Sequence, residues 1–358
     1  MTAHINRIGT ATPAHDIHAD FVAFATAGLE DARSRAVFAR MAARAGIGHR
    51  YSHLRPGVLA AGEVDADGFY RRGRFPGTAA RMRAYGAQAL ALSLAAVARL
   101  APVAGEITHL IVASCTGFTA PGLDVQLAAA LGLRGDVARC MIGFMGCAAA
   151  VPALRAASEA VRADPSARVL VVNLELCSLH LQETTDIETA LSLLLFGDGC
   201  AAALVTAEPD GIALGDFRAA ILPDSAGLIT WTIGDQGFVM HLSGQVPNRI
   251  AATLRADAAA ARPDGLLRGQ RADDIALWAV HGGGRTVLDA VEIGLGLPPA
   301  ALRPSREVLH DYGNMSSATI MFVLARMLAG GMSGPGLAMA FGPGMVAETF
   351  RFRLRPPR

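Results

Sequence analysis

Apolar and polar positions alternate along this chain in two periods. Strand-length apolar runs such as "THLIVAS" (residues 108–114) and "ARVLVVNLEL" (167–176) are separated by longer Ala/Leu-rich stretches such as "RMRAYGAQALALSLAAVARL" (81–100), whose spacing suits a helix. Alternation of this kind predicts an α/β fold. "IGFMGCAAAVPALRAA" (142–157) reads as a strand, an abrupt Gly-Cys, and then a helix. "GDGCAAALVTAE" (197–208) reads as another strand. After a polar break near Pro209–Gly211 the rhythm repeats. "DIALWAVHGGG" is a strand and a turn, "RTVLDAVEIGLGL" and "SSATIMFVLARMLAGG" are helices, and "GLAMAFGPG" and "MVAETFRFRL" close the chain as strands. Two halves follow, 1–207 and 208–358, with residues 57–78, rich in Gly and Arg, as an irregular surface excursion.

Composition narrows the choice. At 358 residues, 52% hydrophobic and 18% charged, the chain can bury a large core. Its 32 basic and 31 acidic side chains leave a net charge of +1, so no global field draws nucleic acid or a membrane surface. Small-molecule chemistry is the expectation. Five cysteines, odd in number and without C-x-x-C spacing, argue against a disulfide framework and against a metal site, and point to a reducing, cytoplasmic setting. No basic start followed by an apolar run and no 18-residue apolar stretch occurs, so neither export nor a membrane span is expected.

Three residues at strand-to-helix joints carry candidate chemistry. Cys147 stands where a helix begins, and the helix dipole and free N–H groups there favour a thiolate. His281 ends a strand among glycines, and Asn314 precedes a helix. Each has an ordinary reading: a buried small hydrophobe, a satisfied core histidine, a helix N-cap. Together they lie where α/β folds place ligands, outside the carboxyl ends of strands. A thiol wants a base or cation beside it and donors for the oxyanion formed when a thioester is attacked.

"GFMGCAAA", "LLFGDGCAA", "VHGGG", "YGNMSSA" and "FGPG", in this order, resemble the type III polyketide synthases, the chalcone synthase-like branch of the thiolase superfamily. The resemblance runs from about residue 7 to the C-terminus. It implies a homodimeric thiolase fold of two duplicated α/β halves in α-β-α-β-α layers. It also implies a catalytic Cys147, His281 and Asn314, acyl-CoA and malonyl-CoA as substrates, no acyl-carrier protein, no metal and no further cofactor. His281 as imidazolium would hold Cys147 as thiolate, and His281 with Asn314 would stabilise the enolate left by decarboxylation.

By the same resemblance Phe196 is an aromatic gatekeeper between the CoA tunnel and the cavity, and its usual partner is replaced by Met240. The proline that commonly follows the histidine is replaced by Gly282. Cys115, Thr116, Ala120, Cys177, His180, Ser192, Trp231, Phe238 and Ser316 are expected to line or border the cavity, with Trp231 narrowing it where relatives carry glycine. Arg44 and Arg50 are expected to meet CoA phosphates, "FGPG" to shape the scaffold, and Cys140 and Cys200 to serve packing. This pattern favours an aliphatic starter and alkylpyrone or alkylresorcinol-type products. The rivals are a ketoacyl-ACP synthase III-like enzyme, a non-catalytic acyl-CoA binding protein of the same fold, and a papain-like peptidase. The last would need a C-G-x-C-W context that is absent.

Overall fold

The computed structural model describes residues 1–57, 64–101 and 104–355. Residues 58–63, inside the expected irregular excursion, lie outside them. The rest of that excursion is irregular up to Thr78, where a long helix, Thr78–Ala98, begins.

Nine strands form one sheet. From the edge inwards, Ala138–Gly143 pairs in parallel with His109–Ser114, which pairs in parallel with Val169–Leu176. Asp198–Thr206 and then Ala3–Ala11 continue it antiparallel. Residues 3–5 of that strand pair antiparallel with Ile212–Ile221, and the sequence of directions then repeats. Val346–Leu354 and Gly334–Gly342 are antiparallel, and Leu277–Val280 joins in parallel at the far edge.

Period-2 alternation sorts these strands' side chains into separate cores. In Val169–Leu176, Val169 and Val171 enter a central core with the helices Ala150–Ala163 and Ala318–Ala329, while Leu170, Val172 and Leu174 face outwards onto helix Thr78–Ala98. In Gly334–Gly342, Ala338 and Ala340 share that central core. Leu337, Met339 and Phe341 form another with the helices Val246–Ala260 and Arg285–Leu295. The outcome is the expected layering, with two apolar helices sandwiched at the centre. Each central helix starts at one of the joints singled out above, Cys147 for the first and Asn314 for the second.

Cys140 departs from expectation. It is exposed, because Ala138–Gly143 is an edge strand with no layer over its outer face. Cys200 is fully buried, as expected. No described helix is long and apolar enough to cross a membrane.

Candidate active site

Cys147 sits in a single 3-10 turn, Gly146–Ala148, between the edge strand and the central helix. Only glycine fits before it. Gly146 has φ +57°, and a Cβ there would fall 2.3 Å from Pro343 Cδ. The "FGPG" turn thus packs directly on the turn that carries Cys147, as expected of a scaffold. The Gly146 N–H donates to Cys115 Sγ at 3.0 Å.

Asn314 is held by its neighbours in one orientation. Its Oδ1 accepts from the Ser316 N–H at 2.8 Å, and its Nδ2 donates to Gly283 O at 3.2 Å. The second Nδ2 hydrogen is left for the chamber, with Cys147 Sγ 4.0 Å away. His281 follows the strand Leu277–Val280, and its N–H continues the ladder to Met339 O at 2.8 Å. The residue is 1% exposed, yet neither Nδ1 nor Nε2 has a hydrogen-bond partner among the described residues. Buried polar atoms are ordinarily paired, so this imidazole is built for something that arrives.

Burial works against the expected thiolate–imidazolium pair. Burial pushes the Cys147 thiol up to about 11, against the opposing pull of the Ser316 hydroxyl and the Asn314 amide. Burial alone brings His281 down to about 4. Both groups are therefore driven towards their neutral forms, because a dry site penalises each charge before a substrate supplies compensation.

Cys147, His281 and Asn314 open onto one chamber. Of the other expected residues, Cys115, Thr116, Cys177, His180, Phe196, Trp231, Met240 and Ser316 line it as well. Phe238 borders it from behind, stacked on His180 with ring centroids 4.3 Å apart. Trp231 closes the same wall, edge-on to both rings, and its Nε1 donates to Cys115 O at 2.8 Å.

Three expectations fail. Ala120 is exposed in a turn ahead of helix Leu123–Ala130, with a cis bond to Pro121, and does not reach the chamber. Ser192 turns back onto its own helix, its hydroxyl donating to Glu188 O at 3.0 Å, and Leu193 lines the chamber instead. Arg50 is no surface cation for phosphates: it is 2% exposed, inside the wall. Arg44, expected to meet CoA phosphates, is exposed at the end of helix Ala32–Arg44, as a cation for phosphates outside the chamber would be.

Sequence reasoning passed over Glu175. It ends an apolar run and reads as a strand residue, yet its carboxyl accepts from Cys115 N–H at 3.0 Å, Thr116 Oγ1 at 2.9 Å and Ser317 Oγ at 2.5 Å. Burial lifts it to about 7. A lone acid inside "VLVVNLEL" was the available signal.

Residues 2–209 match the N-terminal domain, and residues 216–355 the C-terminal domain, of chalcone and stilbene synthases. The chain belongs to the chalcone and stilbene synthase family. It is a type III polyketide synthase, a condensing acyltransferase. Among its relatives, the α-pyrone synthesis polyketide synthase-like protein Pks18 of Mycobacterium tuberculosis is 35% identical over 275 residues, covering 74% of this chain and 69% of that protein. The crystal structure of PKS-I from the brown alga Ectocarpus siliculosus superposes with a TM-score of 0.86 at 31% identity, covering 99% of this synthase and 98% of that chain. The C-terminal domain of Steely1 from Dictyostelium shares the fold at 23% identity, with a TM-score of 0.87 and 99% of each chain covered.

Proposed function

We propose that this synthase takes an acyl group from a CoA thioester onto Cys147 and extends it with malonyl units. The convergence of a sulfur, an imidazole without a hydrogen-bond partner among the described residues and the Asn314 amide on one apolar chamber carries this reading. As Sγ attacks the thioester carbonyl, its proton passes to His281, which becomes imidazolium only while an oxyanion is present to balance it. CoA leaves as its thiol, taking that proton. Malonyl-CoA then loses carbon dioxide. The electron pair of the broken C–C bond becomes a thioester enolate, which a His281 N–H and the Asn314 Nδ2–H stabilise. The enolate carbon attacks the acyl-Cys147 carbonyl, and the thiolate is released and reprotonated.

The aromatic wall of Trp231, His180 and Phe238 blocks the side of the chamber that would hold a planar starter. Leu54, Leu181 and Leu193 leave the other side apolar and open. An aliphatic starter follows, and the name of the Pks18 relative supports release of the product as an α-pyrone. CoA thioesters are the only small molecules this cycle requires.

We also infer a homodimer formed through the edge strand Ala138–Gly143. Phe118, Val125, Met141 and Met145 cluster around it and are 38–43% exposed.

The experiment is mass spectrometry of products from malonyl-CoA offered alone and with acyl-CoAs of increasing length, using wild type and Asn314→Ala. Wild type should give pyrones whose mass tracks the starter. Asn314→Ala should still acylate Cys147 but lose decarboxylation by about 100- to 1000-fold, the usual cost of one oxyanion donor. Normal carbon dioxide release from that variant overturns the assignment.

A further inference from the structure

Arg50 is a buried cation in the chamber wall that makes no ion pair among the described residues. Its Nε donates to His18 Nδ1 at 3.0 Å, and its Nη1 donates to Phe196 O at 2.7 Å and Leu193 O at 3.2 Å. The Phe21 ring lies 4.6 Å from the guanidinium carbon. The stem is packed against backbone, since a Cβ built on Gly313 would fall 2.8 Å from Arg50 Cγ. Every part of the side chain is thus committed except Nη2, which has no hydrogen-bond partner among the described residues. Burial lowers Arg50 to about 9, so the group is still charged at neutral pH.

The surroundings define what could answer it. Phe21, Leu54, Leu181 and Leu193 line the chamber together with Arg50, so a chain entering beside them is held by burial alone. A methyl terminus would leave a charged donor unsatisfied. A carboxylate would accept a charge-assisted hydrogen bond from Nη2, adding to the partial compensation that the Asp16 and Asp198 carboxylates give the guanidinium from a distance. Asp20 and Ser178 also line the chamber. Asp20 faces the chamber, while Asp16 and Asp198 are the carboxylates that act on the guanidinium; all three oppose an anion beside it, and none forms an ion pair with Arg50 among the described residues.

We propose that Arg50 Nη2 anchors a carboxylate at the far end of a linear acyl chain, so that the chamber accepts CoA half-thioesters of α,ω-dicarboxylic acids. The proposal rests on the reading that acyl chains enter this chamber, and it is tested by binding rather than turnover. The probes are methyl-terminated acyl-CoAs, ω-carboxyacyl-CoAs of the same lengths, and the ω-methyl esters of the latter, titrated calorimetrically into the full-length Cys147→Ala protein.

At one chain length the carboxylate should bind about tenfold or more tighter than the methyl-terminated chain. Its methyl ester should lose that advantage. Arg50→Gln should abolish the preference. Should that variant fail to fold, Asp20→Asn in the same background should raise the preference severalfold by removing the opposing charge. Equal binding of acid and methyl-terminated chains at every length overturns the proposal, as does an ester as tight as the acid or a ratio unmoved by Asp20→Asn. If no CoA thioester is turned over by the wild type while the binding preference persists, the synthase reading fails and the anchor stands.

Discussion

His180 and His281 line the same chamber, and burial drives both down to about 4. Their hydrogen bonds differ completely. His180 Nε2 donates to Thr116 O at 2.7 Å, its Nδ1 accepts from the Phe238 N–H at 2.9 Å, and its ring is stacked on Phe238. His281 has no partner on either nitrogen among the described residues. Neither burial nor titration separates the two. Satisfaction does: a histidine with both nitrogens paired is part of a wall, and one with neither is waiting for a ligand.

The sharpest way to break this contrast is to delete each ring. His281→Ala should lower polyketide formation by about 1000-fold or more, since the proton acceptor and one enolate donor go together. Its melting temperature should change little, because no hydrogen bond is lost. His180→Ala strands the Thr116 carbonyl and the Phe238 N–H, at about 1–3 kcal/mol each, and removes a stacked ring. It should melt earlier yet keep activity within about tenfold per folded molecule. Steady-state kinetics beside thermal unfolding of both variants decides it. Equal losses of activity would erase the distinction.

A smaller effect probes the sulfur's side of the same corner. With Cys147 raised to about 11, the thiol form dominates at every lower pH, and the thiolate fraction grows about tenfold for each unit of pH. Iodoacetamide alkylation of the free enzyme should therefore climb steadily from pH 7 to 10. Site-resolved mass spectrometry is needed, because the exposed Cys140 will also react. A plateau reached below pH 8 would mean that a resting thiolate–imidazolium pair exists after all.

Local pattern carried the elements and the reactive corner. Cys147, His281 and Asn314 were legible because each stands at a strand-to-helix joint with glycines around it, and such joints at the carboxyl ends of strands converge. Walls are a different problem. Ala120 and Ser192 were misassigned because lining a cavity depends on which way a turn or helix faces by tens of degrees, and spacing along the chain does not encode that. Arg50 was read as a surface cation because arginines ordinarily are. Its burial is imposed from outside by Phe21, His18 and the Leu193 and Phe196 carbonyls, which come from distant parts of the chain. The burial that opposes charge on Cys147 and His281 was invisible for the same reason: desolvation belongs to the assembled chamber rather than to the helix terminus.

The mildest test concerns the wall that His180 completes. Met240 is the cross-strand partner of Trp231, so the two side chains lie on one face of the hairpin and both reach the chamber. Methionine is unbranched and can swing aside, whereas a phenyl ring in its place would occupy fixed space beside the indole. Met240→Phe should thus shorten the preferred aliphatic starter by one or two methylenes. At about 0.8 kcal/mol each, that is a roughly four- to fifteen-fold fall in kcat/KM for the longest chains accepted by wild type. It should not admit aromatic starters, because Trp231, pinned to the Cys115 carbonyl, still fills their place. Competition between a short, a long and an aromatic acyl-CoA measures both effects at once. If the substitution instead turned preference towards the aromatic starter, the gate at Met240 would outrank the Trp231–His180–Phe238 wall, and His180 could no longer be regarded as mere support.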